Sequence, residues 1–532
     1  MSDATIPSVF DQLVDRIRSR TFVIGGASIL ALLAFARILL QGLGMNHYGF
    51  FRDELYYIAC SHHLAWGYID QPPLIALIAW ASRHLFGASL VSYRILPVLA
   101  GGATVALTGA LAGELGGGPL AQFLAGVTIL FAPLSLAFNS FLSMNAFEPL
   151  FWVLCAWLAV RIVKGESHIL WLLLGALAGL GLQNKHTMLV FLLALGVGSV
   201  PSLQFRGESK NPFRSRWIWI GALLAFVIFL PNVIWEARHG WPQIEVVRNA
   251  QQFKNVSLSP LRFLSEQILF MQPLALPIVL GGLCWLLFAK QGKRFRFLGS
   301  AYFVVLAIFI TLHGKSYYVA PIYPILAAAG GVAFEQFSAR SDWRWLKVSY
   351  PVVLILAGFA TLPFGVPLLP LDTFIQYSKS VPYARWVKTE RDATAALPQI
   401  YADMIGWKNM TGTIADVYHR LPENEQASCA ILAGNYGEAG AIDFYGPGLG
   451  VPKAISGHNN YFLWGPRGYS GECVIVFGER AEVYKDFFEE AELATTISNV
   501  NAMPSEQNVQ VYICRKPVMP LSVLWPRFRM II

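Results

Sequence analysis

The chain has 532 residues, of which 55% are hydrophobic and only 14% charged, with a formal net charge of +8. A soluble protein of this size carries about 25% charged residues, so the composition excludes a wholly soluble protein. The basic residues are scattered between apolar segments, which fits loops meeting anionic lipid and gives no nucleic-acid surface.

The charge deficit lies in the first 370 residues, which read as a polytopic α-helical membrane domain, 1–370. Apolar runs near the length of a membrane helix predict about eleven spans. They cover 22–43, 90–111, 120–138, 147–162, 170–183, 188–201, 217–234, 273–288, 297–312, 319–334 and 348–367. The run 74–86 is shorter, opens on Pro72-Pro73, and is expected to lie in the interface as an amphipathic helix. The first span is too long for a cleaved signal, and no small-residue cleavage site follows it.

Basic residues orient the spans. Arg16, Arg18 and Arg20 put the N-terminus inside, and alternate loops then hold Lys164, the set Arg206, Lys210, Arg214 and Arg216, the set Lys290, Lys293, Arg294 and Arg296, and the set Arg340, Arg344 and Lys347. The opposite side receives Asp53-Glu54, loops 139–145, 237–272 and 313–318, and the C-terminal region.

In chain order, the first candidate for chemistry is Arg52-Asp53-Glu54, just after the first span. Carboxylates beside membrane spans are costly to bury, so binding or catalysis is the default explanation. The pair opens a helical stretch, where one acid can serve as a cap. Adjacent positions on a helix point about 100° apart, so one acid can face a cavity while the other contacts Arg52 or the protein. His62 and His63 follow, and Glu54, His62 and Glu148 are the candidate ligands for a divalent metal, although no spacing is diagnostic. Asp70 sits before Gln71-Pro72-Pro73 on the same side, where it either fixes a turn or joins the site. Arg83, His84 and Arg94 are nearby cations.

The loop Asn139-Ser140-Phe141-Leu142-Ser143-Met144-Asn145-Ala146-Phe147-Glu148-Pro149 puts Asn145 at a cap position and a carboxylate, Glu148, at the mouth of a span. Glu148 is expected to face Asp53 across a central cavity. Lys185-His186 adds charge in a tight outer turn. The segment His313-Gly314-Lys315-Ser316-Tyr317-Tyr318 places a cation beside phenols, a combination suited to a phosphate group and equally to an interfacial belt. Beside the acidic loop, phosphate binding is the better account.

After Pro370 the composition changes and short apolar runs appear, which predicts an outer α/β domain over 371–532. Residues 429–433, 473–477 and 509–514 read as buried strands, and 481–492 as a helix. Gly434-Asn435-Tyr436-Gly437 follows the first strand as a tight turn, only weakly like a phosphate cradle. Ser456-Gly457-His458-Asn459-Asn460-Tyr461 and Trp464 form a polar-aromatic loop suited to sugar binding or to plain packing. Cys429, Cys473 and Cys514 allow one disulfide whose pairing the spacing leaves open.

The outer-loop Asp53-Glu54, the Pro-Pro interfacial helix, the Ser-Met-Asn-Ala-Phe-Glu loop and the Gly-Lys-Ser-Tyr-Tyr-Val-Ala-Pro-Ile-Tyr-Pro segment together resemble the GT-C membrane glycosyltransferases. More narrowly they are similar to bacterial members of the protein O-mannosyltransferase superfamily, glycosyltransferase family 39, to which the lipid A aminoarabinose transferase is related. The resemblance covers about residues 20–370, and the outer domain resembles an extra domain of some bacterial members. It implies a sugar donor on a polyprenyl phosphate, an acceptor hydroxyl on a lipid, glycan or protein, inversion at the anomeric carbon, and a bacterial inner membrane with the C-terminal domain periplasmic. It implies that Asp53 is the general base, that Glu54 positions a substrate, and that Lys315, Tyr317 and Tyr318 contact donor phosphate. Asn145, Glu148, Asp70 and Arg94 complete the expected substrate site. No cofactor is required, and a divalent metal is compatible. Many relatives carry Asp near the position of Asn145, so the departure here leaves the second carboxylate's role open. The rival reading is a transporter or lipid flippase, which also uses intramembrane charge, but no internal repeat is visible. A glycan-binding scaffold is a third reading, disfavoured because the reactive-looking residues cluster in membrane loops.

Overall fold

The computed structural model describes residues 9–204, 215–381, 396–478 and 480–532. Arg206, Lys210 and Arg214, expected in an inner loop, lie outside the described residues. The predicted spans are helical over most of their length. Among the described residues, seven helices are long and apolar enough to cross a membrane, and eight if the pair Pro260–Phe270 and Pro273–Phe288, bent by 92°, counts as one span. Pro119–Leu130, Ile169–Asn184 and Thr187–Val200 are apolar but shorter. Among the described residues, length and composition thus support seven or more spans and do not confirm the expected count of about eleven.

One shortening has a clear cause. The predicted span 120–138 breaks before Pro133, which cannot donate a helical hydrogen bond. The freed carbonyls of Ile129 and Leu130 accept from Arg37 Nη1 at 3.3 and 2.5 Å. Arg37 is fully buried, and its remaining donors reach Gln41, Ser135 and Asn139. Asn139 then donates to the carbonyls of Pro97 and Ala146. A buried cation thus pins the loop that carries Asn145. Elsewhere the helices approach closely at small residues, as TM packing requires. A Cβ on Gly175 would meet the Gly221 carbonyl oxygen at 2.1 Å.

Leu74–Phe86 is a helix that buries Ile75, Ala76 and Ala79 and exposes Leu77, Trp80, Leu85 and Phe86. Both faces are therefore apolar, one packed against the protein and one exposed.

The C-terminal region carries a five-stranded sheet: β1 (Ala430–Ala433), β2 (Ile455–Ser456), β3 (Cys473–Phe477), β4 (Phe488–Ser498) and β5 (Asn508–Pro517), in the order β2-β1-β3-β5-β4. β1 runs parallel to β2 and β3, while β5 is antiparallel to β3 and β4. β1 and β3 are buried at every position, as strands covered on both faces must be. A disulfide joins Cys429 and Cys473 at the start of these two neighbours.

The expected helix 481–492 is a correction. Only Ala481–Tyr484 is helical, and β4 begins at Phe488. The charged run follows edge-strand rules instead: Glu490 pairs in register with Arg515 and carries an ion pair to Lys516.

One face of the sheet presents Ile431, Ala433, Ile475, Phe477 and Val511 to an apolar cluster that also holds Leu55, Tyr56, Ile58, Tyr68, Tyr93 and Leu142. The C-terminal sheet domain and the loops after the first span therefore share a core.

Candidate active site

The helix Arg52–Ser61 opens on the acidic pair, and its two carboxylates diverge. Glu54 is fully buried. Its Oε2 accepts from the Phe51 N–H at 2.8 Å and from Arg94 Nη2 at 2.8 Å, and its Oε1 accepts from Arg94 Nε at 3.2 Å and the Leu142 N–H at 2.8 Å. Arg94 is equally buried and spends its other donors on the carbonyls of Met45, His47 and Gly49. The pair is saturated, which offsets the several kcal/mol that desolvating each ion costs. Glu54 and Arg94, expected at the substrate, clamp three loops together, and neither lines the cleft that Asp53 faces.

Asp53 faces the other way. Its side chain is 30% exposed in a cleft of about 1200 Å³, open mouth included. Asn145, Lys254, Lys315 and Tyr317 line the same cleft, with Phe138, Phe141, Phe270 and Phe364 as apolar wall. Asp53 Oδ1 accepts from the Tyr436 hydroxyl at 2.9 Å and lies 3.9 Å from Arg52 Nε. Lys315 Nζ is 5.9 Å from the centre of the Tyr317 ring, which packs edge-on to Phe138 and Tyr318.

Tyr318 does not line the cleft. Lys185 Nζ sits 4.6 Å over its ring and donates to Asn145 Oδ1 at 2.7 Å and Glu148 Oε2 at 2.8 Å. The Thr187 hydroxyl bonds the other Glu148 oxygen. Glu148 does not face Asp53: this ion pair turns it to a second, mostly apolar cavity of about 420 Å³. The two cavities share Leu134, Phe138, Asn145 and Phe270.

Asp70 lies beyond the cleft and accepts from the Tyr56 hydroxyl at 2.7 Å. Burial, with Asp53 adding to it, pushes its carboxyl up to about 6. The metal candidates are not brought together. Glu54 belongs to Arg94, Glu148 to Lys185, and both ring nitrogens of His62 lie within 2.8 Å of Arg83 Nη1. Burial and Arg83 push His62 down to about 4. No cluster of three His, Cys, Asp or Glu side chains suited to a metal occurs among the described residues.

The C-terminal domain enters the site through the turn after β1. Asn435 caps the helix Tyr436–Tyr445, accepting from the N–H groups of Gly437 and Glu438, while Glu438 accepts from the Asn435 N–H. The turn packs on the acidic helix. The polar-aromatic loop docks on the same region: Asn460 Oδ1 accepts from the Ile69 N–H at 2.7 Å, and Trp464 stacks on His63. Sequence reading missed Tyr436 and Lys254. Tyr436 lies 383 residues from Asp53 and carries no local signal, while Lys254 is one cation in a long mixed loop.

The geometry can be set beside known proteins. Residues 70–235 match the family model for dolichyl-phosphate-mannose-protein mannosyltransferases. The fold is similar to that of ArnT from Cupriavidus metallidurans. Its apo structure gives a TM-score of 0.58 at 13% identity, over 93% of this chain and 98% of that one. The chain has the GT-C membrane fold. ArnT bound to undecaprenyl phosphate matches this chain with a TM-score of 0.55 at 14% identity, over 90% of this chain and 97% of that one. The mycobacterial arabinofuranosyltransferase AftD gives 0.50 at 12% identity, over 91% of this chain and 40% of that one. No curated protein sequence matches the chain. The family match includes Asn145 and Glu148 but begins after Asp53 and ends before Lys315, so those two rest on the cleft itself.

Proposed function

We propose that this protein is a glycosyltransferase that moves a sugar from a polyprenyl-phosphate-linked donor to an acceptor hydroxyl, with inversion and with Asp53 as general base. The observation that carries the reading is that Asp53, Lys315 and Tyr317 line one cleft. The acceptor oxygen attacks the anomeric carbon and its proton passes to Asp53. The bond from that carbon to the phosphate oxygen breaks, and polyprenyl phosphate leaves. Lys315 and Lys254 balance the charge that builds on the phosphate, and Tyr317 offers it a hydroxyl donor. The aromatic wall and the adjoining apolar cavity suit an isoprenoid tail. In this scheme Glu54 positions the acidic helix without touching substrate, and the proton and charge are handled without a cofactor.

The setting proposed is a bacterial inner membrane, with the N-terminus inside and the sheet domain on the periplasmic side. The Cys429–Cys473 disulfide suits an oxidising compartment.

The test is purified protein offered a panel of polyprenyl-phosphate sugars, with products read by mass spectrometry. Asp53→Asn is expected to lower turnover by about 10²- to 10⁴-fold, the usual worth of a general base. Turnover equal to the parent's overturns the assignment.

A further inference from the structure

The outer domain does more than cover the membrane part. Tyr436 is the first residue of the helix Tyr436–Tyr445, and its hydroxyl donates to Asp53 Oδ1 at 2.9 Å. The phenol is itself held: its ring stacks on Tyr56 at 4.6 Å between centroids, and the Arg52 guanidinium carbon lies 5.8 Å from its centre. The contact depends on glycines that let two helices approach. A Cβ on Gly437 would meet Arg52 Cγ at 2.3 Å, and one on Gly440 would meet the Leu55 backbone at 2.9 Å.

We infer that Tyr436 is a positioning residue for Asp53, supplied by the C-terminal domain. By occupying Oδ1 it fixes the carboxylate's rotation and leaves Oδ2 as the oxygen presented to the acceptor. The catalytic unit is then split between the membrane part and the outer domain, so the two must be docked for the base to be in place. This rests on the reading of Asp53 as general base. An O–H donor favours the ionised carboxylate over the acid, so its loss has a sign that a packing role does not predict. The other titratable or charged groups around Asp53 are Arg52, Tyr57, Asp70, Lys254, Lys315 and Tyr317.

Tyr436→Phe keeps the ring and removes only the hydroxyl. It is expected to lower kcat about tenfold with KM little changed, the worth of one hydrogen bond to a charged group. The acid limb of the kcat/KM profile should move to higher pH by about half a unit to one unit. Placing 3-fluorotyrosine at 436 strengthens the donor without changing its shape, and should move that limb to lower pH. This second arm decides the matter if the Phe variant misfolds. A slower Tyr436→Phe enzyme whose acid limb stays put, or a fluorotyrosine enzyme with no movement, overturns the inference. Asp53→Asn separates the two failures: if it is inactive while both Tyr436 substitutions are silent, only the positioning role falls; if it is fully active, the base assignment falls.

Discussion

At the residue scale, two adjacent carboxylates have opposite fates. Glu54 is removed from water and owes its charge to Arg94 and two backbone donors. Asp53 keeps a face in the cleft. Substitution should therefore separate them. Glu54→Ala strands the Arg94 charge and is expected to cost about 3–5 kcal/mol, seen as a lower thermal midpoint or loss of monodisperse protein in detergent. Asp53→Asn should leave the midpoint near the parent's and remove turnover. A Glu54→Ala protein as stable as the parent would contradict the clamp. Which acid faces substrate was not legible in Arg52-Asp53-Glu54. Helix geometry required that the two diverge, but their directions depend on Arg94 and Leu142, which lie 40 and 88 residues away.

At the scale of elements, the decisive contact is helix on helix. Gly437 and Gly440 bring Tyr436–Tyr445 onto Arg52–Ser61, burying Leu55 and Ala439 in one apolar cluster. A branched side chain at Gly440 has a backbone in its way and cannot be absorbed by a rotamer change. Gly440→Val should cost about 1–3 kcal/mol of stability, and it should slow transfer as well, because Tyr436 moves with its helix. Thermal melting and donor turnover measured together check this; a fast enzyme with a lowered midpoint would show that the docking is structural only. The strands β1 and β3 were legible as short apolar runs because both their faces are covered, and β5 because Val509, Val511, Tyr512 and Cys514 are buried. β4 was not, because its charges satisfy a helical pattern as well as an edge strand, and only the partner β5 selects between them.

At the scale of the whole molecule, the disulfide Cys429–Cys473 closes a loop with a sequence separation of 44 and ties β1 to β3 beneath the helix that carries Tyr436. Replacing both cysteines with serine should lower stability by about 2–4 kcal/mol, measured as a drop in thermal midpoint that the parent shows only with reductant. Composition and hydropathy by themselves determined a membrane chain with a distinct outer α/β region, because long apolar runs and a change in charge density are local properties. The motifs also singled out Asp53, Asn145, Lys315 and Tyr317, which the fold brings to one cleft, since a carboxylate or lysine beside a span has few cheap explanations. The tertiary structure alone decided the break before Pro133, the pairing that withdraws Glu54 and Glu148 from Asp53, and the arrival of Tyr436 at Asp53. Each of these turns on a buried charge or hydroxyl finding a partner distant in sequence. Burial makes an unpaired polar group costly, but no local pattern names the partner.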